Sequence, residues 1–147
     1  MPRILEPNPD AKPIGDFPVV RPGTYRMRID PDASKQKEEI SKNSNPMVLF
    51  LAQFAQSYPE LQDENGQPLT SPPGQIFHRL VTAREKQGML CALVTGCGIP
   101  WGEFIATHGS NTDVLAGLEF EAKIGVEEYE GTKKNVIQRV IVPKELA

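Results

Sequence analysis

Polar and apolar residues alternate in several short stretches of this chain, and each such stretch predicts a strand. In "PGTYRMRID", Tyr25, Met27 and Ile29 alternate with Thr24, Arg26 and Arg28, which gives one apolar and one basic face. The most apolar run is "NPMVLFLAQF", residues 45–54. Its alternation places Met47, Leu49 and Leu51 on one face and Val48, Phe50, Ala52 and Phe54 on the other, and Pro46 favours the start of a strand. "QIFHRLVT" reads as a third strand, with Ile76, His78 and Leu80 on one face and Phe77, Arg79 and Val81 on the other. The period then changes. Leu90, Leu93 and Val94 recur at helical spacing, which predicts a helix over 84–96, with Gly88 weakening its middle and Gly96 or Gly98 as stop signals. "IPWGEFIATHG" reads as irregular. "SNTDVLAG" reads as one or two helical turns, capped by Ser110 or Asn111 and stopped by Gly117. "LEFEAKIGVEEYEG" alternates strongly again, and "TKKNVIQRVIVPKE" gives a last strand after a turn at Gly131.

The segments between these elements are polar or rich in turn formers. Residues 1–20 carry five prolines and no periodicity, and read as an extended or flexible arm ahead of a single domain over 21–147. "PDASKQKEEISKNSNP" reads as a long hairpin connection or mobile loop, and "PELQDENGQPLTSPPG" as a turn-rich loop. The order is strand, strand, strand, helix, strand, strand. An all-β domain with one helix in that place matches the OB-fold, a five-stranded Greek-key barrel with a helix between the third and fourth strands. Each strand of so small a barrel has one face inside and one outside. Which face of residues 45–54 is buried stays open at this point.

Composition narrows the classes. The chain has 147 residues, the size of one domain. No apolar run approaches the roughly 18 residues of a membrane span. The N-terminal residues have prolines and acids where a signal peptide needs an apolar core, so a cytoplasmic protein is expected. Cys91, Cys97, His78 and His108 lack the close pairing of metal ligands, so neither metal nor cofactor is expected, and the cysteines read as small core residues. "GCGIPWG" lacks the strand-to-helix context of a phosphate-binding loop, and no nucleophile signature is present. Glu127 and Glu128 read as the solvated end of a strand, so no enzymatic activity is expected. A net charge of −3 argues against nucleic acid wrapped over the whole surface. The charge is unevenly spread, however. Six bases face four acids over 21–42, whereas five acids stand against one lysine over 119–130.

"PGTYRMRID", "KNSNPMVLFLAQF", "IFHRLV" and "VLAGLEFEAKIGVEEYEGTKKNVIQRV" together resemble a group of phage-encoded single-stranded-DNA-binding proteins with an OB-fold. The pattern combines a Gly-x-Tyr opening the first strand, a Lys/Asn-rich approach to an apolar second strand, Leu115 to Gly117 ahead of the fourth strand, and a Gly-Thr-Lys-Lys-Asn turn into the last. It covers about residues 19–144. The resemblance implies sequence-tolerant binding of single-stranded DNA in phage replication or recombination, in the host cytoplasm, with replication or recombination proteins as partners. Many single-stranded-DNA-binding proteins end in an acidic tail that recruits partners; this sequence ends "VIVPKELA", with Glu145 alone, and departs from that pattern.

Binding of this sort needs a positive groove along the phosphates and aromatic rings on which bases stack. The second and third strands form the usual platform of an OB-fold. The stacking candidates are Phe50, Phe54, Phe77 and Tyr58, and the three phenylalanines also fit core positions. Tyr25 and Trp101 read first as barrel packing. The phosphate candidates are Arg26, Arg28, Lys35, Lys37, Lys42, Arg79, Lys133 and Lys134, with the acidic fourth strand turned away from DNA. A rival from another class is an OB-like protein-interaction module of a phage assembly that binds no nucleic acid. The sequence leaves a homo-oligomer open.

Overall fold

A nine-residue strand, β3 (Pro46–Phe54), organises the molecule. In the computed structural model, which describes residues 18–146 together with Glu6 and Pro9, it pairs along one edge with β4 (Ile76–Val81). Along its other edge it pairs first with β2 (Lys37–Ile40) and then with β1 (Gly23–Ile29). β1 continues to β5 (Glu119–Tyr129), and β5 to β6 (Thr132–Ile141). The six strands form one antiparallel sheet. Its ends, β4 and β6, approach each other, but no ladder joins them among the described residues.

Six strands and two helices replace the expected five and one. The added strand, β2, lies in the stretch read as a loop. Its sequence, "KEEI", has no apolar face to reveal it, and it exists because β3 offers an edge to pair with. The added helix, α2 (Trp101–Ala106), falls where the sequence read as irregular. Trp101, Phe104 and Ile105 have helical spacing, but Pro100 and Gly102 disguise it. The predicted helix over 84–96 splits into a single 3₁₀ turn at Arg84–Lys86 and α1 (Gly88–Gly96), so Gly88 opens the helix and does not interrupt it. Asn111 caps a 3₁₀ turn at Thr112–Leu115 by accepting from the Asp113 N–H, and Gly117 follows with φ +80°. Glu130 and Gly131 turn the β5–β6 hairpin with φ +50° and +80°, as a type I′ turn requires.

The core faces follow the alternation. Met27 and Ile29 of β1, Phe50 and Ala52 of β3, Ile76 and Leu80 of β4, and Phe120, Ala122 and Ile124 of β5 are all buried. Leu90, Leu93 and Val94 of α1 close this core from one side, with Phe104 of α2 and Leu115. Gly96 allows the end of α1 to touch β6, where an added Cβ would meet Val140 Cγ1 at 2.5 Å. The β5–β6 register shifts between Lys123 and Ile124, where Gln138 of β6 is the extra, unpaired residue of a β-bulge. A second cluster of Val20, Leu61 and Leu69 sits beside Tyr25, Phe54 and Tyr58.

Most of the arm read over 1–20 lies outside the described residues. Its last residue is fixed: Val20 is fully buried, its N–H donates to Asn135 Oδ1 at 2.9 Å, and its carbonyl accepts from Asn135 Nδ2 at 2.8 Å. Among the described residues, no helix is long and apolar enough to cross a membrane.

Candidate nucleic-acid interface

Registry decides which side chains share the outer face of the sheet. The β3–β4 ladder sets Leu51 opposite Phe77, Leu49 opposite Arg79 and Met47 opposite Val81. The β2–β3 ladder adds Lys37 beside Leu49 and Glu39 beside Met47. The result is a half-buried aliphatic stripe, Met47–Leu49–Leu51, with one ring standing free beside it. Phe77 is 61% exposed. A singly exposed apolar side chain is ordinary; what distinguishes Phe77 is its place beside the aliphatic stripe, with which it forms a continuous apolar surface.

The other aromatic candidates stand elsewhere. Phe50 is 1% exposed and faces the core opposite His78, so it has no surface to offer a base, and its place among the stacking residues is withdrawn. The phenylalanine face of β3 is thus the buried one, because Phe50 and Ala52 meet α1 and the far strands there. Phe54 is half-buried and meets Tyr25 edge-on, with ring centroids 5.3 Å apart. Tyr58 is half-buried in the cluster with Val20, Leu61 and Leu69. Neither ring reaches the outer face. Tyr25 is held further by its hydroxyl, which donates to the Arg21 carbonyl at 2.7 Å. Trp101 stacks on Phe104 at 5.4 Å and packs against the core.

The cations divide into two groups. Arg26 belongs to the acidic side: its guanidinium lies 3.0 Å from Glu119 and 3.9 Å from Glu121, across the β1–β5 ladder. Arg28 donates from Nε to the Gly117 carbonyl at 3.2 Å. Lys37 and Arg79 flank Leu49 on the outer face, and Arg79 pairs with Glu39 at 2.8 Å. Lys35 and Lys42 are exposed just before and just after β2. Lys133 and Lys134 line a groove of about 480 Å³ between the starts of β4 and β6, together with Phe77, Ile76, Val19 and Val136. Lys133 reaches Glu64 at 3.3 Å. These ion pairs are all solvent-exposed, worth at most about 1 kcal/mol each, and a phosphate can displace the carboxylate. Phe77 therefore stands where the outer face meets a groove edged by two lysines.

Sequence reasoning passed over Gln53 and Gln75, which extend the same outer face. The signal was present: they occupy the parity of Leu51 and Phe77. Gln75 Nε2 donates to Asp30 Oδ2 at 2.8 Å and lies 3.4 Å from Gln53 Oε1. The Gln75 bond and the Asp32 N–H hold the Asp30 carboxyl below the usual carboxylate range.

Behind this face, His78 is 8% exposed, and burial pushes its pKa down to about 4, so it is neutral at physiological pH. Burial likewise pushes the Cys97 thiol up to about 12, which leaves it protonated and inert. Among the described residues, no three His, Cys, Asp or Glu side chains converge as a metal site. No known protein family matches the chain, and no curated protein is similar to it.

Proposed function

We propose that this protein binds single-stranded DNA, without strong sequence preference, on the outer face of β3 and β4. The observation that carries this reading is Phe77: an exposed ring on an aliphatic stripe, with Lys37 and Arg79 beside it and Lys133 and Lys134 across the adjoining groove. Stacking supplies roughly 1–3 kcal/mol per base, and the lysines and arginine neutralise phosphates. The fold supports the reading through its pairings. Leaving β2 aside, β1 pairs with β3 and β5, β3 with β4, and β5 with β6, while the helices lie between β4 and β5. These are the neighbours expected of an OB-type barrel, with β4 and β6 as its seam, and the second and third strands of that fold are its usual platform. On the resemblance drawn from the sequence, the setting is phage DNA replication or recombination in the host cytoplasm, alongside replication or recombination proteins and without catalysis.

The test is a titration of a labelled mixed-sequence single strand, followed at low and moderate salt. With four phosphate-binding cations, the logarithm of the affinity falls against the logarithm of salt with a slope of about −3. Absence of binding at low salt would falsify the proposal.

A second reading, a protein-interaction module, is favoured by the helical side. Met89 and Ile105 are 58% and 49% exposed there, near a groove of about 740 Å³ lined by Trp101, Phe104, Gln36 and Thr112. In that case the single strand does not bind, and substitutions on the helical side, unlike those at Phe77, abolish a protein contact.

A further inference from the structure

The outer face carries more chemistry than sequence-tolerant stacking requires. One row beyond the Leu51–Phe77 pair, Gln53 and Gln75 face each other, with Arg28 of β1 on the far side of Gln53 and its Nε turned to the Gly117 carbonyl. Asp30 follows β1 in the row of Leu51, where its N–H donates to the Leu51 carbonyl at 2.9 Å, and its carboxylate is reached by the Gln75 side chain. Rows on one face of a strand are about 6.7 Å apart, so the edge of a base lying on Phe77 extends toward the row of Gln53 and Gln75. Asp30 Oδ1 is engaged by the Asp32 N–H at 2.9 Å and Oδ2 by Gln75 at 2.8 Å, which fixes the carboxylate with lone pairs to spare. The Gln75 carbonyl adds a further acceptor, with no partner among the described residues.

Resting on the single-strand reading, we infer that Asp30, Gln75 and Gln53 form a nucleobase-reading subsite beside Phe77 that favours cytosine over thymine. The two pyrimidines stack alike but differ at one edge. Cytosine presents its N4 amino group, a donor to which carboxylates bind, where thymine presents the O4 acceptor. Facing Asp30, the first makes a charge-assisted hydrogen bond, and the second sets two acceptors against each other. Gln53 Oε1 is taken by Gln75 Nε2, which leaves the Gln53 amide N–H groups as the donor this reading assigns to cytosine N3. The preference is a bias laid over the general affinity, since phosphate contacts and stacking treat the two bases equally.

The experiment compares labelled oligo-dC and oligo-dT of equal length, bound to the full chain by fluorescence anisotropy at one salt concentration and mildly alkaline pH. The wild-type protein is expected to bind oligo-dC at least about 5-fold more tightly, and Asp30→Asn to bring the ratio close to one without weakening oligo-dT. Thermal melting checks that the variant folds. If it does not, Gln75→Leu, an exposed position, carries the same expectation for the ratio. Equal affinity, a preference for oligo-dT, or a ratio unchanged in the folded variant overturns the subsite while leaving general binding intact. Binding of neither oligomer overturns the single-strand reading itself, and the subsite with it.

Discussion

Phe77→Ala is expected to weaken single-strand binding by roughly 5- to 150-fold, the loss of one stacked base, while the melting temperature stays nearly constant. The ring is 61% exposed and supports little of the core. Phe50→Ala is expected to do the reverse. That ring is 1% exposed among large neighbours, and its removal costs about 3–5 kcal/mol of stability, seen as a lower urea midpoint. If Phe50→Ala weakened binding with no change in stability, the assignment of the two faces of β3 would be inverted. His78 gives a third test at this scale. Its pKa is about 4 in the folded state against 6.5 for the free side chain, so the unfolded chain takes up a proton first on acidification. Its contribution of about 3 kcal/mol is complete above pH 6.5, declines as the pH falls toward 4, and flattens below that. Urea melts at neutral pH and at pH 4.5 are expected to show this loss, and His78→Gln to reduce the difference between them.

Among the elements, β3 and the helices differ in how openly the sequence announces them. Alternation from Met47 to Phe54 marks β3 as a strand with two faces, but leucines and phenylalanines are alike in burying well. Only the arrival of α1 and β5 on one side of the sheet chooses Phe50 and Ala52 as the core pair. For the same reason, Phe54 and Tyr58 could not be told from surface rings. What half-buries them is the cluster of Val20, Leu61 and Leu69, in which Val20 is held by the side chain of Asn135, 115 positions away. Leu90, Leu93 and Val94 marked α1 directly, whereas β2 could not be seen because its stability comes from pairing with β3. At the contact between α1 and β6, Gly96→Ala is expected to destabilise the protein by about 1–3 kcal/mol, since the new methyl group collides with Val140. A melting temperature equal to or above wild type would show that α1 does not rest on β6 at that point.

Across the whole molecule, a net charge of −3 coexists with a local cluster of cations. The sequence located the basic segment over 21–42, but the fold divides it: Arg26 turns to Glu119 and Glu121, while Lys37 joins Arg79 from a distant strand. Lys133 and Lys134 come to the same edge from the far end of the sheet. The acids of β5 thus face Arg26, while the stripe beside Phe77 has Lys37 and Arg79, the latter paired with Glu39, on one margin and Lys133 and Lys134 on the other; a single strand bound across β3 and β4, as proposed, would meet cations at both margins. Backbone amide shifts read this arrangement directly. On addition of a short single strand, the largest changes are predicted at Leu49, Leu51, Phe77 and Arg79, with smaller ones at Lys37, Lys133 and Lys134. Changes concentrated on α1 and α2, or none at all at low salt, would contradict it.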